Sequence, residues 1–157
     1  MKKPAFFAYA FLNEMGKWEL TNDDKDSWVC WNEEGIQTLV WDYTKPEQKE
    51  SNDRYFKRDL PSMDVDQVCL NITGVPDGKY EVRIFKVGYS SNDVYADYQK
   101  IGSPDTLKRA EVVELAKKNS GAPVLTMELD IETNGLFSYT FNMKENDVFL
   151  IKLTRQQ

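Results

Sequence analysis

The sequence predicts a mainly β protein, an antiparallel β-sandwich of about eight strands with one leading helix and one internal helix. Apolar runs of strand length alternate in and out along much of the chain. Turn-forming clusters of Gly, Pro, Asn and Asp separate them, and only two segments carry a helical repeat. The 157 residues suit one domain with a sizeable core, and 41% hydrophobic with 13% aromatic residues describes a folded chain.

Pro4 to Met15 forms the leading helix. Pro4 suits its first turn, Phe7 and Phe11 stand four apart, as do Ala8 and Leu12, and Gly16 is placed to cap its end. Phe6 and Tyr9 lie on another side, so this helix expects protein on more than one face. Trp18 to Leu20 is a short strand. Trp28 to Asn32 and Ile36 to Tyr43 flank a Glu33-Glu34-Gly35 turn and read as a hairpin. Leu39, Trp41 and Tyr43 fall on one face of the second strand and Ile36, Thr38 and Val40 on the other, which predicts cover on both sides.

Thr44 to Arg58 is polar and reads as a surface loop. Val65 to Ile72 is a strand, Gly74 to Gly78 a turn, and Lys79 to Val87 a strand with Tyr80, Val82 and Ile84 facing a core. Gly88 to Pro104 reads as irregular. Leu107 to Asn119 is the internal helix, with Val112, Val113 and Ala116 at the centre of its apolar side and Ser120-Gly121 after it. Val124 to Glu132, Leu136 to Asn142 and Val148 to Leu153 are the last strands. Asn134-Gly135 between the first two is the strongest hairpin signal in the chain. Ser51-Asn52-Asp53 and Ser91-Asn92-Asp93 have unmatched flanks, so they are turn chemistry rather than a repeat.

Composition excludes several functions. With no histidine, the chain holds no Ser-His-Asp triad, Cys-His dyad, or zinc site of the HExxH or C2H2 kind. It is also too short for a (β/α)8 barrel, which needs about 250 residues. The net charge of −6 and the absence of a basic stripe argue against nucleic acid. Lys108, Arg109, Lys117 and Lys118 are balanced by Glu111 and Glu114. No run approaches the ~20 apolar residues that span a membrane. Met1-Lys2-Lys3 and the apolar stretch after it resemble a signal peptide, but Asn13-Glu14 ends that stretch and Ala8-Tyr9-Ala10 lies inside it, so none is expected. Cys30 and Cys69 each sit in a strand and read as buried free thiols; a disulfide requires the two strands to be neighbours.

Without histidine, paired carboxylates are the natural catalytic candidates, as in glycoside hydrolysis. Asn13-Glu14 ends a helix and Asn32-Glu33 enters a turn, so neither suits the role, and no catalytic residue is expected in this chain. Asp23, Asp24 and Asp26 lack EF-hand spacing and read as a solvated loop, with no metal and no cofactor expected. Trp18, Trp28, Trp31, Trp41 and Tyr43 are core or interface aromatics in the plain reading. Trp31, Trp41 and Tyr43 are the candidates for a sugar-stacking platform, and Trp31, beside the turn, is the one expected to be exposed.

Several stretches together resemble the C-terminal part of glycoside hydrolase family 39, and cover nearly the whole chain in order. They are Lys3-Pro4-Ala5-Phe6-Phe7-Ala8-Tyr9 through Phe11-Leu12-Asn13, Gln37-Thr38-Leu39-Val40-Trp41-Asp42-Tyr43-Thr44, Arg58-Asp59-Leu60-Pro61, Val87-Gly88-Tyr89-Ser90-Ser91-Asn92-Asp93, Gly102-Ser103-Pro104 and Glu145-Asn146-Asp147-Val148. The block from Val87 to Asp93 is the most specific, and the likeness is closer to the bacterial β-xylosidases than to α-L-iduronidase. The resemblance implies that residues 1–16 are the last helix of a (β/α)8 barrel and residues 17–157 an accessory sandwich packed on it. It also implies that the two catalytic glutamates of a retaining hydrolase lie on the barrel, outside this chain. The chain is then expected to be a piece of a larger enzyme whose compartment is set by residues upstream. Its expected partners are the barrel, and, through the two irregular stretches, a further copy. Phe6, Tyr9, Tyr89, Asn92 and Asp93 are the expected interface or loop-anchoring residues. The alternative is an independent carbohydrate-binding module for xylan or xylo-oligosaccharides.

Overall fold

The computed structural model describes residues 1–45, 59 and 61–156. The predicted loop from Thr44 to Arg58 lies largely outside the described residues. Helix α1 spans Pro4–Asn13, followed by β1 (Trp18–Glu19), β2 (Ser27–Asn32), β3 (Gly35–Trp41), β4 (Asp64–Ile72) and β5 (Gly78–Val87). Helices α2 (Val94–Lys100) and α3 (Arg109–Lys118) precede β6 (Leu125–Ile131), β7 (Phe137–Lys144) and β8 (Val148–Arg155). The fold class is the predicted one, mainly β with antiparallel sheets.

Six strands form one sheet in the order β1-β2-β3-β8-β5-β6, and β4 pairs with β7 in a second. The predicted β2–β3 hairpin is present, with Asn32 opposite Gly35 across Glu33-Glu34. Asn32 Oδ1 fixes that turn by accepting from the backbone N–H groups of Glu34 and Gly35. The facing sides of the two sheets enclose the main core, where Val82, Ile84, Phe149, Ile151 and Leu153 meet Ile72, Phe137, Phe141 and Met143. On its other side the six-stranded sheet carries Leu39, Val87 and Leu150, and α1 covers them with Phe7 and Phe11. This helix–sheet–sheet layering makes Ile36 to Val40 buried without a break, the two-sided cover that the apolar pattern of the strand predicts.

Five expectations need correction. The Asn134-Gly135 turn does not close a hairpin, because β6 pairs with β5 and β7 with β4; the turn carries the chain from one sheet to the other. The stretch from Gly88 to Pro104 is not wholly irregular, since it contains α2, so there are two internal helices among the described residues. Val112 and Val113 are exposed on α3, whose buried residue is Leu115, with Asn119 buried just beyond it. Gly16 is not the helix cap, because Glu14 ends α1 in right-handed geometry. What requires Gly16 is close approach: a Cβ there would overlap the Trp31 carbonyl oxygen, so the glycine lets the chain leaving α1 pass against β2. Finally, Tyr43 is exposed and lies past the end of β3 rather than on it.

The cysteines also differ from expectation. Cys30 is buried on β2, Cys69 is exposed on β4 in the other sheet, and both are free. Hydrogen bonding, foremost with Thr140 and then with Ser138, holds the Cys69 thiol below its ordinary pKa, while burial pushes Cys30 up. Titration with a chromogenic disulfide at neutral pH is therefore expected to detect one fast thiol in the native protein and a second only in guanidinium. Cys69→Ser should abolish the fast phase; a fast phase that survives it would contradict this assignment.

Candidate functional site

Three features outside the core have the residue types that recognition needs. The first is the outer face of α1. Phe7 and Phe11 point into the sheet, whereas Phe6, Tyr9 and Leu12 are 49%, 73% and 43% exposed. They stand three apart and form one stripe. Lys2 Nζ lies 4.7 Å from the centre of the Phe6 ring, and Phe6 meets Phe7 edge to face at 5.6 Å. Glu14 closes the helix and receives Lys152 Nζ at 2.7 Å, which ties the helix end to β8 and places this carboxylate in an ion pair.

The second feature is the segment from Gly88 to Asp93, where short-range hydrogen bonds fix an unusual backbone. Gly88 and Ser91 exchange backbone bonds of 3.0 Å, and Ser90 and Asn92 adopt positive φ. Asn92 joins three elements: its Nδ2 donates to the Lys86 carbonyl at 2.8 Å, and its Oδ1 accepts from the Gly121 N–H at 2.9 Å. Asp93 is the N-cap of α2, with Oδ1 accepting from the N–H groups of Tyr95 and Ala96. The Tyr89 hydroxyl donates to the Asp59 carboxylate at 2.9 Å, which holds the phenol above its ordinary pKa and ties residue 59 to this corner. Asn92 and Asp93 thus bond to backbone groups within the chain, and Tyr89 bonds to Asp59 across the surface.

The third feature lies at the edge of the six-stranded sheet. Trp18 and Trp31 sit opposite each other in the β1–β2 register and stack, ring centres 4.7 Å apart and planes 29° apart. They are 46% and 42% exposed, the exposure expected for Trp31 beside the turn. Trp31 lines an open cavity of about 380 Å³ together with Glu33, Ile36, Pro76, Tyr80 and Arg155. Trp41 is not part of it. It packs on the α1 side of the sheet, beside Leu39 and Leu150, while Trp31 faces the Ile36 side. The three predicted platform residues therefore do not share a surface. The partner of Trp31 is Trp18, a pairing that could be found only from the strand register.

The acidic loop binds itself. Asp24 accepts from the Ser27 hydroxyl and the Asp26 N–H, and the Asn22 side chain donates to Ser27. Among the described residues no group of three or more Cys, Asp or Glu side chains is placed to hold a metal ion, and no helix is long and apolar enough to cross a membrane.

A glycoside hydrolase family 39 enzyme from Xanthomonas axonopodis pv. citri superposes with a TM-score of 0.93 over 99% of this chain at 28% identity. The chain is similar to a region of family 39 enzymes. A monomeric β-xylosidase from Caulobacter crescentus CB15 gives a TM-score of 0.92 at 28% identity, again over 99% of this chain. A second family 39 β-xylosidase from Caulobacter crescentus shares the fold with a TM-score of 0.75 at 22% identity. The chain spans about a third of the first two, 31% of each. No family profile and no curated protein matches the chain. The family 39 likeness thus rests on structure and on the blocks quoted above, and it runs from α1 through β8.

Proposed function

We propose that the chain is the accessory sandwich of a β-xylosidase-like glycoside hydrolase, carrying no catalytic residue, and that it docks on the catalytic (β/α)8 barrel through α1. On this reading residues 1–16 complete the barrel and residues 17–157 brace it. The observation that carries the proposal is the two-sided helix. A helix that exposes Phe6, Tyr9 and Leu12 while burying Phe7 and Phe11 is built to lie between two bodies, and only one of them is found among the described residues. The likeness to about a third of much longer enzymes supplies the class of the second body. The Glu candidates agree with a supporting role, since Glu14 pairs with Lys152 and Glu33 sits in an exposed turn.

A chimera tests this. The corresponding region of the Caulobacter crescentus CB15 β-xylosidase is replaced by this chain, and the isolated chain is studied beside it. The expected result is an active chimera, no aryl-xyloside turnover by the isolated chain, and a Phe6→Ser/Tyr9→Ser pair that lowers the chimera's melting temperature but not the chain's own. Turnover by the isolated chain, or a chimera indifferent to both substitutions, would overturn the proposal.

A further inference from the structure

We infer that the cavity beside Trp31 is a binding site for a neutral oligosaccharide, a property separate from docking through α1, which lies on the opposite face of the sheet. Its volume, about 380 Å³, falls in the range of small-ligand pockets, roughly 300–1,000 Å³. Its aromatic wall is held in place rather than loose. Trp18 stacks on Trp31 from the neighbouring strand, and the Gly16 segment lies against the Trp31 carbonyl, so both the backbone and the ring of Trp31 are braced. An indole held with 42% of its residue surface exposed offers an apolar face to the C–H face of a pyranose ring.

The rim supplies the complementary polarity. Arg155 is fixed by a bond from Nη2 to the Asp77 carbonyl at 2.6 Å, and a guanidinium carries five N–H donors in all. The exposed Glu33 carboxylate, in the two-residue turn, offers acceptors on the same cavity. Donors and acceptors flanking one aromatic face match hydroxyl groups, which both donate and accept. An anionic ligand fits less well, because Glu33 is on the rim and the whole chain carries −6. A proline-rich peptide is the competing occupant of a tryptophan-lined groove. It places carbonyl acceptors along its length and no donors at its prolines, which leaves Glu33 unmatched.

The test is titration of the full chain with xylohexaose, cellohexaose and mannohexaose, followed by tryptophan fluorescence and calorimetry, with a decaproline peptide in parallel. Saturable binding of at least one hexasaccharide is expected. Trp31→Ala should weaken it by about tenfold or more, Arg155→Gln by several-fold, and Trp41→Phe, on the other face, not at all. Far-UV circular dichroism checks that each variant is folded, and Arg155→Gln, at an exposed strand end, gives a second reading if Trp31→Ala does not fold. The inference is overturned by no binding at 10 mM, by binding that both Trp31→Ala and Arg155→Gln leave intact, or by decaproline binding in place of the sugars.

Discussion

Replacing Phe11 with alanine is expected to lower the free energy of unfolding by about 3–5 kcal/mol. In a chain of this size that corresponds to a fall in melting temperature of about 10 °C. Phe11 is buried against Leu39, Val87 and Leu150, and its ring centre lies 6.1 Å from that of Phe85. Besides Phe7 and the Glu14–Lys152 ion pair, little else holds α1 in place. Its N-cap, Lys3, makes no side-chain bond to the helix, and the first turn has no acidic residue and the last no basic one. A helix of ten residues is too short to persist alone in water, so its stability comes from the side chains it buries. Truncation at Phe11 removes one of its two buried anchors and uncovers the outer face of the six-stranded sheet. Tyr9→Ala, at a position 73% exposed, should change the free energy of unfolding by only about 0.5 kcal/mol. Urea unfolding followed by tryptophan fluorescence measures both. Equal midpoints for Phe11→Ala and the unaltered chain would mean that α1 is not part of the cooperative unit.

The same helix shows what a sequence can and cannot disclose. Its two-sided apolar pattern is local, so it can be read from residues 4–12, as can the continuous burial of β3 from Ile36 to Val40. Pairing is not local. Asn134-Gly135 specifies a reversal, and Gly135 does adopt φ +62°, but no nearby residue specifies which strand the reversed chain will meet. Here β7 finds β4, some 70 positions upstream, as in the pair of Leu70 with Tyr139.

On α3 the apolar residues mark one side and the structure buries a neighbouring one, because Asn119 brings a polar partner. Its Nδ2 donates to Asp97 on α2 at 2.9 Å, and no hydropathy pattern encodes that bond. Helix α2 had one legible signal, Asp93 as an N-cap, but seven residues are too few for a helical period to emerge. The candidate site divides in the same way. Exposure of Trp31 follows from its place beside a turn, whereas its stack on Trp18 depends on register across β1 and β2.

Asp147→Ala is expected to destabilise the chain by about 3–5 kcal/mol, the cost of breaking a buried ion pair by removing one partner. The Asp147 side chain is completely buried; Oδ2 receives Lys86 Nζ at 2.7 Å and the Lys144 N–H at 2.8 Å. Lys86 also lies over the Phe149 ring, 5.0 Å from its centre, so removing the carboxylate strands an ammonium group against the core. Asp147→Asn keeps the shape and loses the charge, and about 1–3 kcal/mol is expected for it. Because the pair is buried, moderate salt should leave the effect unchanged, whereas a surface pair would weaken.

Gly88 sharpens the test. A Cβ there would overlap Asp147 Oδ1, the carboxylate oxygen that has no hydrogen-bond partner among the described residues, so Gly88→Ala must displace the buried carboxylate. Gly88→Ala should therefore be costly in the unaltered chain and much cheaper once Asp147 is alanine, a strong non-additivity in a double-mutant cycle. Additive costs would show that the glycine serves the backbone of the Val87-to-Asp93 corner and not the carboxylate beneath it.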